Sequence, residues 1–568
     1  MLRKKRACDL CYSKKISCDR ADQNLACDWC RHHNLVCTFN RVQSNKRSPK
    51  PRIENSVFAL EQSLSSQLEP IDFVLDRVML DQSNSVDACL PLVEEFLPGL
   101  GDIFCRETSE QDGFLSSIPL TSNSTGDEID SLDRKTAWRA LDAYPESSVR
   151  FVHPLMDPVI FQDTLERAYS LEETPRRTAA QASVLALVST MGFFDDQALS
   201  LPRSLEMKCA ARAVFLLEST NGIANLMSLR AISLLRFQSA FSGQIPAAVR
   251  MHQIACRLVT KLGGHNMRPE VGVNYNETEI RELRSLFWES YITDKASTLR
   301  TGMEPCLPDN LCDLTLPGHL SPSLGCLNEG RMPPLPYGVL PPCLMGDIHL
   351  SIVKSRIWQL LYSTEARQRS EAELLRAVRE LDSELEAWRM CVPAEIRPTF
   401  LVAAGNRMST LEELDLSPWV RHYGTALHLE YHSLFITIHQ ASARYQFSKG
   451  SDSLGQAWGT SVQSSITLAL EASRSTLVYL EMALDRLVKE MFWISIHYPV
   501  VALRTLFVNI AANPSGPDAE SDLRLLCSTS DLIKRMPMSE KLVGGQEYIQ
   551  KMEEDVSELV QYVQSLTS

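Results

Sequence analysis

Apolar residues recur at helical spacing through most of the chain. Met251, Ile254, Ala255, Leu258, Val259 and Leu262 fall on one face and stop at Gly263-Gly264, which predicts an amphipathic helix with a glycine end signal. Similar patterns run from about residue 140 to the end, and no apolar–polar alternation is sustained long enough to predict strands. The body is therefore expected to be all-helical, with the proline-rich interval from Pro322 to Pro342 as a long loop between helices. At the carboxy end Met552, Val556, Leu559, Val560 and Val563 make a stripe, with Glu553, Glu554 and Asp555 read as lying opposite it. The stripe is long enough to dock, so packing is expected there in preference to an acidic activation segment.

Two earlier stretches read differently. Ile53, Val57, Leu60 and Leu64 alternate four- and three-residue steps, the seam of a coiled coil, before Gln67 takes the next seam position and Pro70 ends the helix. Residues 107 to 135 are rich in Ser, Thr, Asp and Glu and poor in aliphatics, too polar to offset the entropy of ordering, so a flexible linker is expected.

The 568 residues are 44% hydrophobic and 22% charged, which excludes wholesale disorder and leaves room for more than one folded unit. The net charge of -13 hides an asymmetry. Residues 1 to 52 carry 13 Lys and Arg against 4 Asp, a net +9, while the rest carries 44 basic against 66 acidic residues, a net -22. A basic head on an acidic body directs any polyanion to the head, because phosphate contacts respond to local charge.

Met1 to Arg6 is basic but is followed by cysteines and lysines where a secretory signal would turn apolar. The chain has no uninterrupted apolar run of about 18 residues. A soluble, intracellular protein with no membrane partner is expected, and there clustered cysteines read as metal ligands. Six of the sixteen, Cys8, Cys11, Cys18, Cys27, Cys30 and Cys37, stand as C-x2-C-x6-C, eight residues, then C-x2-C-x6-C. Two intervening residues let both thiolates face one ion, and zinc favours four such ligands in a tetrahedron. One ion would use Cys8, Cys11, Cys27 and Cys30 and leave Cys18 and Cys37 over. Two ions need eight metal–sulfur bonds, which six sulfurs supply if two of them bridge. His32 and His33 are surplus to that count and are read as solvent-facing. The ten cysteines scattered from Cys89 to Cys527, Cys256 and Cys391 among them, are read as small buried hydrophobes.

Arg6-Ala7-Cys8-Asp9-Leu10-Cys11 through Cys37-Thr38-Phe39 resembles the fungal Zn(2)-Cys(6) binuclear cluster family. The resemblance implies two zinc ions per chain, bridged by Cys8 and Cys27, with Cys11 and Cys18 completing one site and Cys30 and Cys37 the other. Asn34 stands where the family usually has glycine, and asparagine tolerates the left-handed backbone of a helix end. The linker Ala21 to Ala26 lacks the family's usual proline, and Tyr12 and Ser17 replace its usual basic residues.

Tyr12 to Ser17 is expected to form a short helix that ends at the metal, and such modules dock a helix in the major groove. The resemblance places Lys15 at the base-contacting position with Lys14 beside it, and implies CGG-like triplets in double-stranded DNA. Lysine suits guanine O6 and N7. Arg6, Arg41, Lys46 and Arg47 flank the cluster with Arg3, Lys4, Lys5, Lys50 and Arg52, as residues that neutralise phosphates without reading sequence. The runs Arg3 to Arg6 and Lys46 to Arg52 also read as nuclear import signals. Family members often dimerise just after the cluster, so a homodimer through residues 53–68 is implied.

In the body, Arg284-Ser285-Leu286-Phe287-Trp288-Glu289-Ser290-Tyr291-Ile292-Thr293-Asp294, then Pro305, Leu307, Pro308, Asp309 and Leu316-Pro317, resembles the fungal transcription-factor middle homology region, with Gly302-Met303-Glu304-Pro305 in place of Gly-Arg-Pro. Phe151 to Phe161 and Leu427 to His439 also fit it, which extends the resemblance over roughly two thirds of the body.

The architecture expected is a small zinc-organised cluster domain (1–45), a basic segment, short coiled coil and flexible linker (46–139), and a large all-α regulatory domain (140–568). The function expected is sequence-specific, zinc-dependent regulation of RNA polymerase II genes of a metabolic or secondary-metabolite pathway, in the nucleus and with the transcription machinery as partner. The competing class is a zinc-organised interaction scaffold without sequence-specific DNA binding, against which the basic flanks argue. An enzyme is not expected. His428-Leu429-Glu430-Tyr431-His432 lacks the H-E-x-x-H order of zinc proteases, so ordinary helix packing is its reading, and no G-x-S-x-G, phosphate loop or G-x-G-x-x-G is present.

Overall fold

Local sequence rules account for where many of the helices begin and end. The structure is a computed structural model describing residues 132–567, apart from 148, 150–157, 172–173, 195–200, 220–223, 267–274, 316–346, 393–395, 401–417 and 443–455. The chain divides into units Met1–Gln67 and Leu68–Ser568, and every described residue belongs to the second. The cluster domain, residues 53–68, residues 107–131 of the 107–135 linker and the interval Pro322 to Pro342 lie outside the described residues, while Arg134 and Lys135, read as linker, begin a helix.

Among the described residues the regular elements are helical. Helix α1 (Arg134–Ala143) straddles residue 140 and starts on Asp133, whose carboxylate accepts the Lys135 N–H. Then follow α2 (Pro158–Ala168), α3 (Pro175–Phe194), α4 (Arg203–Ser219), α5 (Leu226–Ser242), α6 (Ile245–Lys261) and α7 (Glu277–Thr301). Their apolar faces make one core, with Phe161, Leu187, Cys209, Leu229, Met251, Leu286 and Phe287 inside it. Helices α3 and α5 are surrounded by neighbours and carry few exposed positions.

The run from Met251 to Leu262 forms the buried face of α6 as expected, with Ile254 at its margin. Gly263 then takes a φ of 77°, and the N–H of Gly264 closes onto Val259 O at 3.0 Å. Helix α7 starts with a capping box in which Asn276 and Glu279 exchange backbone bonds, and it ends at Gly302 with a φ of 71°. The glycine kept from the family's Gly-Arg-Pro is thus the left-handed helix end.

Helix α8 (Ile348–Ile357) continues into a π-turn, Trp358–Tyr362, and leads to α9 (Glu371–Cys391) and α10 (Pro418–Gln440). Leu350, Ile357, Leu381, Leu385 and Leu434 hold these together as a second core. A third joins α11 (Gln456–Met482), the short α12 (Phe492–Ser495), α13 (His497–Ala512), α14 (Ala519–Lys534) and α15 (Gly545–Thr567), centred on Leu477, Leu503, Leu506 and Leu526. The stretch Lys489–Ala512 is long and apolar enough to cross a membrane, but it is mostly buried inside the body.

The terminal stripe packs as expected: Met552, Val556, Leu559 and Val563 are buried in the third core. One part of that reading is corrected. Asp555 does not lie opposite the stripe but is itself buried, paired with Lys551 at 2.8 Å. At 100° per residue, position 555 falls only about 60° from position 552, on the flank of the stripe, whereas Glu553 and Glu554 turn away.

Candidate functional site

Cys8, Cys11, Cys18, Cys27, Cys30 and Cys37, and with them Arg6, Lys14, Lys15, Arg41, Lys46 and Arg47, lie outside the described residues. The described part of the second motif converges on one place. Helix α7 carries it, and its polar residues fold the following loop, 302–315, back against the helix.

Arg284 holds the far end of that loop. Its guanidinium donates to Gly264 O and Thr315 O, each at 3.1 Å, and to Asp313 O, while lying 4.3 Å from the Phe287 ring centre. Only a planar fork with several donors reaches three carbonyls while stacking on an aromatic face.

Asp294 holds the near end. It accepts the backbone N–H groups of Cys306 at 2.8 Å and Leu307 at 3.1 Å, and faces Lys295 Nζ at 3.3 Å and His252 Nε2 at 3.3 Å. Burial alone would raise its pKa, but the His252 bond and the Lys295 charge pull it below the ordinary carboxylate value. The His252 pKa is likewise lowered from its ordinary value, by burial. Lys295 also donates to Leu307 O at 2.6 Å and pairs with Asp309 at 3.4 Å.

Asp309 is the next link. It accepts Tyr291 Oη at 2.9 Å from α7, then Ser355 Oγ at 2.8 Å and Gln359 Nε2 at 3.1 Å from the α8 segment. The motif's charged residues are therefore fasteners: they tie the end of α7 to its loop and the loop to α8. The motif alone pointed to Arg284, Asp294 and Asp309. His252, Ser355 and Gln359 were missed because their partners lie tens of residues away in the chain, and no local pattern marks them.

A second polar junction lies where α7, α8, α10 and α13 meet. Glu430 pairs with Lys354 at 2.7 Å and Arg300 at 3.7 Å, and accepts Tyr498 Oη at 2.6 Å. Burial opposes its charge, but Lys354 and Arg300 bring its pKa down to about 2. Within the first core, Arg230 pairs with Glu282 at 2.6 Å and Arg236 with Glu289, all four nearly inaccessible. Such pairs add little net stability, but removal of one partner is costly.

His428 and His432 behave as packing residues. Each bonds a different carbonyl at 3.0 Å, Gly424 O and Thr399 O respectively, and His428 stacks on Tyr479 with ring centres 4.5 Å apart. Burial lowers their pKa values to about 4 and about 3. Glu430, between them in sequence, turns to the junction just described. Of the scattered cysteines read as buried, Cys209 and Cys256 are buried, whereas Cys306, Cys391 and Cys527 are exposed. Cys391 is the last residue of α9, and turns away from the stripe that Leu381, Leu385 and Trp388 bury.

Residues 149–390 match a family model described as fungal specific transcription factor domain. The match takes in the Arg284 motif and stops short of Leu427 to His439. Two proteins named ABC-transporter-regulating transcription factor are similar to this chain. The one from Aspergillus fumigatus is 29% identical over 280 residues, 48% of this chain and 29% of its own length. The one from Aspergillus oryzae is 28% identical over 287 residues, again 48% and 29%. The chain thus spans under a third of the length of either. An uncharacterized transcriptional regulatory protein of Schizosaccharomyces pombe is 21% identical over 464 residues, covering 69% of this chain and 57% of its own. No solved structure matches. The helical body and these matches support a fungal transcription regulator.

Proposed function

We propose that the chain is a sequence-specific, zinc-dependent DNA-binding regulator of transcription. Its head, residues 8 to 37, would hold two zinc ions on six cysteines, and Lys15 would read CGG-like triplets from the major groove. The observation that carries this reading is a conjunction: a repeated C-x2-C-x6-C in a segment of net charge +9 precedes a helical body of which residues 149–390 match the fungal specific transcription factor domain. Cysteine spacing supports the metal, local charge supports DNA, and the matched body supports transcription as the process served.

The flanking cations Arg6, Arg41, Lys46 and Arg47 supply affinity through phosphates, and residues 53–68 supply a second copy of the chain and hence a second half-site. The test is a genome-wide occupancy map of the tagged protein beside a Cys8→Ala version, which lacks a bridging sulfur. Peaks over CGG-like triplets that vanish in the variant are expected. The names of the two Aspergillus relatives make promoters of ABC-transporter genes the first to inspect. A map with no cluster-dependent peaks, obtained with nuclear protein under several growth conditions, would overturn the reading.

A further inference from the structure

Four side chains of the kinds that bind metals meet beside the Asp294 fastener. His252 and Cys256 lie one turn apart on α6, Asp294 comes from α7 and Cys306 from the loop after it, and one donor atom of each lies within 4.8 Å of all the others. We propose that these four residues form a zinc site in the regulatory body, separate from the amino-terminal cysteine cluster.

The spacing suits a tetrahedral ion. Zinc–sulfur bonds of about 2.3 Å and zinc–nitrogen or zinc–oxygen bonds of about 2.0 to 2.1 Å place sulfur about 3.6 Å from nitrogen, and nitrogen about 3.3 Å from oxygen. Cys256 Sγ lies 3.5 Å from His252 Nε2, which lies 3.3 Å from Asp294 Oδ1. Two thiolates, an imidazole and a carboxylate are the donors zinc takes, whereas magnesium and calcium take oxygen alone. Cys306 is exposed and the other three are buried, so the site is open to an entering ion on one side.

Charge balances in both states. With both sulfurs as thiols and no metal, Asp294 is offset by Lys295, 3.3 Å away. Zinc with two thiolates and Asp294 carries one negative charge, again offset by Lys295. The ion enters as two thiol protons leave, with no uncompensated charge left in the core.

Arg236 completes the arrangement. It stands 3.2 Å from His252 Nδ1 and can only donate, so in the metal-free form the ring hydrogen sits on Nε2, toward Asp294. Coordination through Nε2 moves that hydrogen to Nδ1 and turns Arg236 onto Glu289, with which it already pairs. The ion thereby pins α6 to the loop that the motif of α7 fastens, and its presence is felt at the buried Arg236–Glu289 pair.

The test is metal content of the purified full-length protein by mass spectrometry, compared with Cys306→Ser and Cys256→Ser/Cys306→Ser proteins. The single variant alters only the exposed ligand and keeps the fold, as checked by helical circular dichroism. The expected result is one zinc fewer per chain in either variant, with the same decrement when Cys306→Ser is added to Cys8→Ala protein. Failure of the amino-terminal cluster would show instead in the Cys8→Ala count and leave this difference untouched. Equal zinc in wild-type and Cys306→Ser proteins overturns the site. So does recovery of a Cys256–Cys306 disulfide from zinc-loaded protein handled without oxygen, since both sulfurs would then be unavailable to the ion.

Discussion

Lys354 on α8 and Glu430 on α10 meet at 2.7 Å, and Arg300 of α7 and Tyr498 of α13 close on the same carboxylate. One acidic residue of the second core thus joins that core's α8 to helices of the first and third cores. Lys354→Met removes the nearest cation and leaves a largely buried carboxylate with Arg300 alone. A loss of about 3 kcal/mol in unfolding free energy is expected in urea titration, with part of it recovered in Lys354→Met/Glu430→Leu. An unchanged midpoint in the single variant would show that the junction contributes nothing.

Gly243 ends α5 with a φ of 91°, and a Cβ there would press on Trp493 Nε1 and stand 2.7 Å from Val543 O. The close approach ties the end of α5 to the third core, since Val543 N–H also donates to Ser242 O at 2.7 Å. Gly243→Ala therefore combines backbone strain with a clash against a large ring. It should cost about 3 kcal/mol, more than Gly544→Ala, where φ is 68° but nothing lies within 4 Å.

Acid should loosen the body before it protonates most carboxylates. His428, His432 and His497 have pKa values lowered by burial from 6.5 to about 4, about 3 and about 3. Their folded values lie below the unfolded one, so the unfolded chain binds more protons in between. The stability tied to their neutral forms is whole above 6.5 and is lost as pH falls toward the folded values. The unfolding temperature should drop steadily from roughly pH 7 to pH 5, and less steeply in His432→Gln. Glu430 adds a further loss, spread from its ordinary value of 4.5 down to its folded pKa of about 2.

In the head, Lys15→Ala should weaken binding to a CGG-like site by about 1 to 3 kcal/mol and relax base preference, while Arg47→Ala should weaken all DNA alike and reduce the salt slope. Titrations of specific and random duplexes at two salt concentrations separate the two effects. Equal losses on both duplexes for Lys15→Ala would falsify its assignment as the base-reading residue.

Periodicity was enough to foresee the helical body, because an amphipathic helix writes its buried face into every third or fourth residue. Met251 to Leu262 and the terminal stripe show this directly, as does the use of Gly263 as a helix end. Where the reading went astray, the residue stood at the edge of a face: Asp555 flanks its stripe and is buried, and Cys391 ends its helix and is exposed. A spacing rule assigns the centre of a face well and its margins poorly.

Local sequence determined the repeated cysteine spacing, the basic head, the helical periods and the Arg284-to-Asp309 motif, since each depends on residues close together in the chain. The tertiary structure decided what the motif's charges do. Asp294 meets His252 from 42 positions away, and Glu430 meets Lys354 across 76. Such pairs come together only when helices with suitable apolar faces stack, and the stacking, not the spacing of any one helix, chooses which ionised groups are sealed in with which partners.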